Sequence, residues 1–397
     1  MRFRGFELPT MEIELIKELE KEIGQVLRVQ SKSCYSHGFF IKNNHIYAVN
    51  LMCKELERVP YSLRHLSFIK FLNIQMNNLK ELPDFISEFT TLHTLIVNAC
   101  EFSEFPKVIT KIPSLEKLKI TDNHFNIIPR DILNLSQLKE ISLGANHFIK
   151  FPEILTKIIS LEYLEIGAHN FPSLPWSLTN LKSLKTLVID ICGFTEFPEV
   201  ISSLNFLEGL NLNDNNISSV PDSVSNLNHL QWICLSKNNL EYFPNSITLI
   251  TTLKELDLDR NKIKDLPPSI GYLKNLKRLD IPNNKLMEIP DEIGSLMNLE
   301  HLDLSGNQIS ELPVSLRNLK SLKRLNVNGN KLTSISEWLG HLPSLEYIDF
   351  KNNSIDIDSV PSSIKKVQQR WAEKYFSSFG KTIKKMKNNV KRSYKSN

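Results

Sequence analysis

Apolar residues recur at fixed distances along most of the chain. In residues 253–273 the pattern runs Leu253, Leu256, Leu258, then Asn261, Ile263, Leu266, Pro267, Ile270 and Leu273. The same spacing starts at Ile46 and restarts every 23 residues through Leu345, giving fourteen units whose register is unbroken until the last. Within each unit the L-x-L alternation, such as Leu256 and Leu258, has the two-residue period of a strand buried on one side. Each strand is expected to include both of those leucine positions. The column three residues beyond the second leucine holds asparagine at Asn77, Asn123, Asn146, Asn215, Asn238, Asn261, Asn284, Asn307, Asn330 and Asn353. A buried amide in a turn can pair the backbone groups that the turn leaves open. Twelve units carry proline at one column, from Pro60 to Pro313. Proline lacks a donor and fixes its φ, so this return segment is predicted to be extended or a single turn.

One such unit cannot bury its own leucines, but stacked units can. The fold class expected is α/β: a right-handed solenoid with parallel strands about 4.8 Å apart on its concave side. These residues closely resemble the leucine-rich repeat family. The L-P-x-x-I return is similar to that of the intracellular Ras-group subclass, with Ras-suppressor-type scaffolds and plant Ras-group-related proteins as the nearest relatives. The resemblance covers about Ile46–Ile364. It implies a horseshoe and a protein-binding scaffold, with a small GTPase or a signalling enzyme as the natural partner.

A solenoid needs covered ends. Residues 1–45 are expected to form an N-terminal helix and hairpin cap. Thr10 would serve as helix N-cap, Gly24 as stop, and Ile16, Leu19, Ile23 and Leu27 as the buried face. Asn43-Asn44 would turn a hairpin between two apolar strands. The solenoid proper would run over 46–361. Residues 362–397 then take helical period through Ile364, Val367, Trp371, Tyr375 and Phe379, predicting a basic amphipathic capping helix over about Ser362–Phe379, followed by a tail. This segment carries 11 Lys/Arg and one acid, Glu373, which leaves 37 basic against 43 acidic residues before it. Beyond Gly380 the tail is either solvated or a contact for anionic membrane, nucleic acid or an acidic partner.

Little else points to chemistry. Gly380-Lys381-Thr382 lacks the glycine a phosphate loop needs five positions upstream, where Tyr375 stands. The ten histidines show no metal-ligand spacing, and His169 falls in the asparagine column. Cys100 and Cys192 occupy that column too, and the five cysteines have no CxxC pattern, so neither zinc nor a disulfide framework is expected. The N-terminus lacks the apolar core of a signal peptide, and no apolar run reaches 18 residues. A cytoplasmic, monomeric protein without cofactor, metal site or catalytic activity is the expectation.

Specificity is therefore assigned to the variable strand positions, which are expected to face outward. One zone comprises Tyr163, Val188 and Trp232, aromatic and apolar groups among small residues. The other is a carboxylate line, Asp257, Asp280 and Asp303, continued by Asp349 and flanked by Arg278, His301, Arg324 and Tyr347. Tyrosine, tryptophan and arginine dominate interface energies. Protein binding through this face is the leading function. The alternative is an adaptor recruited to anionic membrane or nucleic acid by the basic tail.

Overall fold

Three-residue strands recur every 23 residues, because each unit supplies one apolar residue to be buried between two that face outward. The computed structural model describes residues 1–30, 37–66 and 68–370. These group into two compact units, residues 1–215 and residues from 216 onward.

In the first unit the helix Thr10–Ile23 ends at Gly24, whose φ of 68° is the left-handed value that glycine adopts without steric cost. Ile13, Ile16, Leu19 and Leu27 are buried, while Ile23 is only half-buried. Thr10 is not the N-cap. Pro9 holds that position, and no side chain caps the helix. Proline fixes an extended backbone entry at Pro9 (φ −56°), leaving Thr10 inside the first turn. Glu12 accepts from the backbone N–H of Ile46 at 2.8 Å and meets His45 Nδ1 at 2.8 Å, so the helix is tied to the first coil. Asn43 and Asn44 both take positive φ, joining Gly38–Lys42 to His45–Asn50 as an antiparallel hairpin. Parallel strands follow at Phe71–Asn73 and at 23-residue steps to Gly209–Asn211.

The second unit repeats the arrangement from Trp232–Cys234 to Tyr347–Asp349, all parallel and in direct register. The strand Glu255–Asp257 contains Leu256 but stops short of Leu258. The expected second leucine of each strand thus lies one residue beyond it. Leu258 is nevertheless fully buried and its N–H donates to Asp280 O at 2.8 Å. The chain is already turning there, because Asn261 draws the Leu258 carbonyl inward at 3.1 Å.

From Tyr61–His65 to Val314–Asn318 the return segments are five-residue 3-10 turns, each entered through a proline such as Pro267 (φ −74°, ψ 151°). Ser336 replaces proline before Glu337–His341, and the turn still forms. At the far end residues 362–370 are helical, with Ile364 and Val367 buried. The remainder of the predicted capping helix, Trp371 included, lies outside the described residues.

The asparagine column is an amide ladder. Asn261 Nδ2 donates to Leu235 O (2.9 Å) in the preceding coil and to Leu258 O in its own, while its Oδ1 accepts from Leu240 N at 3.0 Å. Asn284, Asn307, Asn330 and Asn353 repeat these bonds. Cys100 and Cys192 fill the column as buried small residues, and burial pushes both thiols up to about 11. They are inert at neutral pH. His169 joins the ladder differently. Its Nε2 accepts from Asn146 N at 3.2 Å, so Nδ1–H donates to Ile166 O at 3.2 Å, and its ring stacks on Phe171.

Two predictions arise from the ladder. Burial lowers the His169 pKa, so the unfolded chain takes up this proton first as pH falls. Its contribution to stability is full above the ordinary histidine range and is lost as pH drops toward the folded value. Urea unfolding at a series of pH values should show a shallower acid decline for His169→Asn than for wild type. Separately, the residue before each ladder position has positive φ, and Ile191 is a β-branched residue held there at 53°. Ile191→Asn should raise unfolding free energy by about 1 kcal/mol, because asparagine tolerates this conformation.

Candidate functional site

Direct register turns strand positions into rows. Glu255, Arg278, His301, Arg324 and Tyr347 stand side by side, one per strand, and Asp257, Asp280, Asp303, Asn326 and Asp349 form a second row. Neighbours in a row are about 4.8 Å apart by strand spacing. Six of the residues singled out from the sequence, Arg278, Asp280, His301, Asp303, Arg324 and Tyr347, together line one depression of about 380 Å³, joined by Leu302 and Asn326.

The carboxylate row has a structural duty that the pattern of charges did not reveal. Asp257 Oδ1 accepts from Asp259 N at 2.9 Å, Asp303 Oδ1 from Ser305 N at 2.9 Å, and Asp349 Oδ1 from Lys351 N at 3.1 Å. Asn73, Asn211 and Asn326 make the same bond two residues ahead. The side chain thus caps the end of its strand, as short polar side chains do in Asx turns. Asp303 is further committed: Ser305 Oγ donates to it at 2.6 Å and Asn326 Nδ2 at 2.9 Å.

Asp280 departs from this rule. Two residues ahead stands Pro282, which has no N–H to give. The Asp280 carboxylate is paired instead with the Arg278 guanidinium through Nε. Burial pushes the Asp280 pKa up, against the pull of Arg278, and Asp257 and Asp303 add to the rise. Arg324 is exposed, and its guanidinium has no hydrogen bond or ion pair with any described residue. Burial lowers the His301 pKa, with help from Arg324 and Arg278, so at neutral pH the ring is an uncharged group between two cations. Tyr347 Oη donates to Asp349 at 3.2 Å, and burial raises its pKa.

The other zone is split between the units. Tyr163 and Val188 are half-buried in the first, where Tyr163 Oη donates to Glu165 at 3.1 Å and burial raises the phenol pKa. Close by, Asp190 lies over Gly167 and burial raises its pKa. Trp232 is half-buried in the second unit, in register with Glu255. Outward facing is also not uniform. Ala48, Asn50, Asn73, Ile96, Ser142 and Gly209 hold outward strand positions yet are buried. Asn50 and Asn73 each make the strand-capping bond to the N–H two residues ahead. Among the described residues no group of three or more His, Cys, Asp or Glu could hold a metal ion, and no helix is long and apolar enough to cross a membrane.

This fold is that of leucine-rich repeat proteins. A family model described as a leucine-rich repeat region matches residues 268–369, and one described as a leucine-rich repeat matches 206–227 and 252–273. The structure is similar to a leucine-rich repeat protein of Leptospira interrogans, with a TM-score of 0.68 and 26% identity over 81% of this chain and 94% of that one. It also resembles an internalin of Listeria monocytogenes, at TM-score 0.61 and 24% identity over 71% and 81% of the two chains. A third likeness is to the Arabidopsis receptor kinase HAESA, solved in complex with the peptide hormone IDA and the co-receptor SERK1. There the TM-score is 0.61 and identity 26%, over 81% of this chain and 61% of the receptor. No curated protein sequence matches the chain.

The capping role separates the two central aspartates. Asp303→Ala should cost about 1–2 kcal/mol, because the Ser305 N–H and the Asn326 amide lose an acceptor. Asp280→Ala should stay within about 0.5 kcal/mol, since no backbone donor depends on it. Urea denaturation of the two variants checks the difference.

Proposed function

We propose that the protein is a non-catalytic scaffold that binds a protein partner through the open face of its sheet. Leucine-rich repeat folds provide protein-binding surfaces, and one similar structure is a receptor solved with a peptide hormone. The observation that carries the reading is the convergence of Arg278, Asp280, His301, Asp303, Arg324 and Tyr347 on one depression of the second unit. Those side chains vary between coils, whereas the return turns repeat proline and isoleucine for packing. Trp232, and Tyr163 with Val188, offer further half-buried contact groups on the strand positions of their own units. Arginine and aromatic groups with room around them are the usual anchors of an interface.

The finer reading rests on resemblance. The L-P-x-x-I return resembles that of the intracellular Ras-group subclass, and on that likeness the protein is assigned as a cytoplasmic signalling scaffold with a small GTPase or signalling enzyme as partner. The N-terminal helix and hairpin are assigned as the cap of the first unit's coils, and the helix starting at residue 362, with Ile364 and Val367 buried, as the cap of the second unit's. No catalytic role is assigned to any residue.

Capture of a partner from native lysate on the immobilised protein tests the reading. Trp232→Ala, Arg278→Ala and Arg324→Ala should each weaken the captured complex by about 1–2 kcal/mol, while removal of residues 381–397 should leave it intact. Should all three variants bind like wild type and the truncation abolish capture, the basic tail is the working part and the open face is not.

A further inference from the structure

The depression combines two kinds of group with different freedom. Asp303 is spent on Ser305 and Asn326. Asp280 is spent on Arg278, and that pairing exists because Pro282 removes the N–H that its neighbours in the row accept. The consequence falls on Arg278. Its Nε is anchored in the floor, so its two terminal nitrogens point their donors elsewhere with fewer rotamers to lose. Arg324, two strands away in the same row, has all its guanidinium donors available among the described residues. The two Cα positions are about 10 Å apart by strand spacing, a gap that two arginine side chains can close around one small group. His301 stands between them, and none of its ring nitrogens is hydrogen-bonded to a described residue.

We infer that Arg278 and Arg324 grip a carboxylate of the partner, with Asp280 and Pro282 acting as positioning residues for Arg278. This rests on the protein-binding reading above and names the chemistry the partner presents. A carboxylate fits better than a phosphate. The lining holds two guanidinium groups and two carboxylates, so its net charge is near zero and does not offset the larger desolvation cost of a doubly charged phosphate. A singly charged carboxylate costs less to desolvate and still takes two parallel hydrogen bonds from a guanidinium fork. The group can come from an acidic side chain or from a chain terminus.

Fluorescence anisotropy with three labelled nine-residue probes tests the inference. One is an amidated Gly-Ser peptide with two central glutamates, one its glutamine analogue, and one the glutamine analogue with a free C-terminal carboxylate. Binding of the first or the third, but not of the amidated glutamine peptide, is expected, and which one binds identifies the source. Arg278→Ala and Arg324→Ala should each weaken that binding about tenfold or more, as loss of a charge-assisted pair does. Pro282→Ser restores a backbone donor to Asp280 and should weaken it severalfold with little change in melting temperature, which a merely structural proline would not do. Acetate should displace the probe at least as well as inorganic phosphate at equal ionic strength. Equal binding of all three probes, no binding of any, indifference to both arginines, or displacement by phosphate in preference to acetate overturns the carboxylate grip. If the grip fails while lysate capture still depends on Trp232 and Arg278, the protein-binding reading stands; if capture ignores the open face, that reading has failed instead.

Discussion

The structure depends on one interaction, the asparagine amide that bonds backbone groups of two consecutive coils. Every coil must turn sharply after its buried leucine, and a turn in the interior leaves carbonyl and N–H groups without partners. An unpaired buried group of that kind costs on the order of 1–3 kcal/mol. Asn261 removes three such costs, at Leu235, Leu258 and Leu240, with a single side chain. It also ties neighbouring coils together, since Nδ2 donates to Leu235 O and Oδ1 accepts from Leu240 N, both in the preceding coil. The positive φ of the preceding residue, Arg260 at 50°, turns the amide inward.

The open face shows the same economy on a smaller scale. Where a strand ends in a short aspartate or asparagine, as at Asn73, Asn211, Asp257, Asp303, Asn326 and Asp349, the side chain caps the N–H two residues ahead, so the two residue types interchange there without changing the fold. A carboxylate used in this way contributes little to recognition. The one member of the second unit's aspartate row that is relieved of the duty, Asp280, is relieved by its neighbour Pro282 and turns to Arg278. A backbone accident in one coil thereby becomes a local difference in side-chain chemistry.

Much of the fold was legible in the sequence because its determinants are local and periodic. The strand at Leu256, the turn at Asn261 and the return at Pro267 each follow from one residue's backbone chemistry. Thr10 misled because a residue suited to capping was preceded by Pro9, whose fixed φ starts the helix one position earlier. Leu258 lies outside its strand because the ladder begins to bend the chain there. The rows of the site could be written from the register alone, and six of the named residues do share a depression. Missing was the division of the carboxylates into those that cap a strand and the one, Asp280, that pairs with an arginine. The signal was present, since a residue two positions ahead of an aspartate either has an N–H or is proline. That signal acquires meaning only when strand ends are known.

Hydrogen exchange of the protein with and without its captured partner tests the account most directly, because it reports the contacted backbone without altering a side chain. Binding through the open face predicts slowed exchange in segments containing 278–282, 301–305 and 324–328, with the return turns at 268–272, 291–295 and 314–318 unchanged. Protection confined to the return turns, with the strands exchanging as in the free protein, would contradict it.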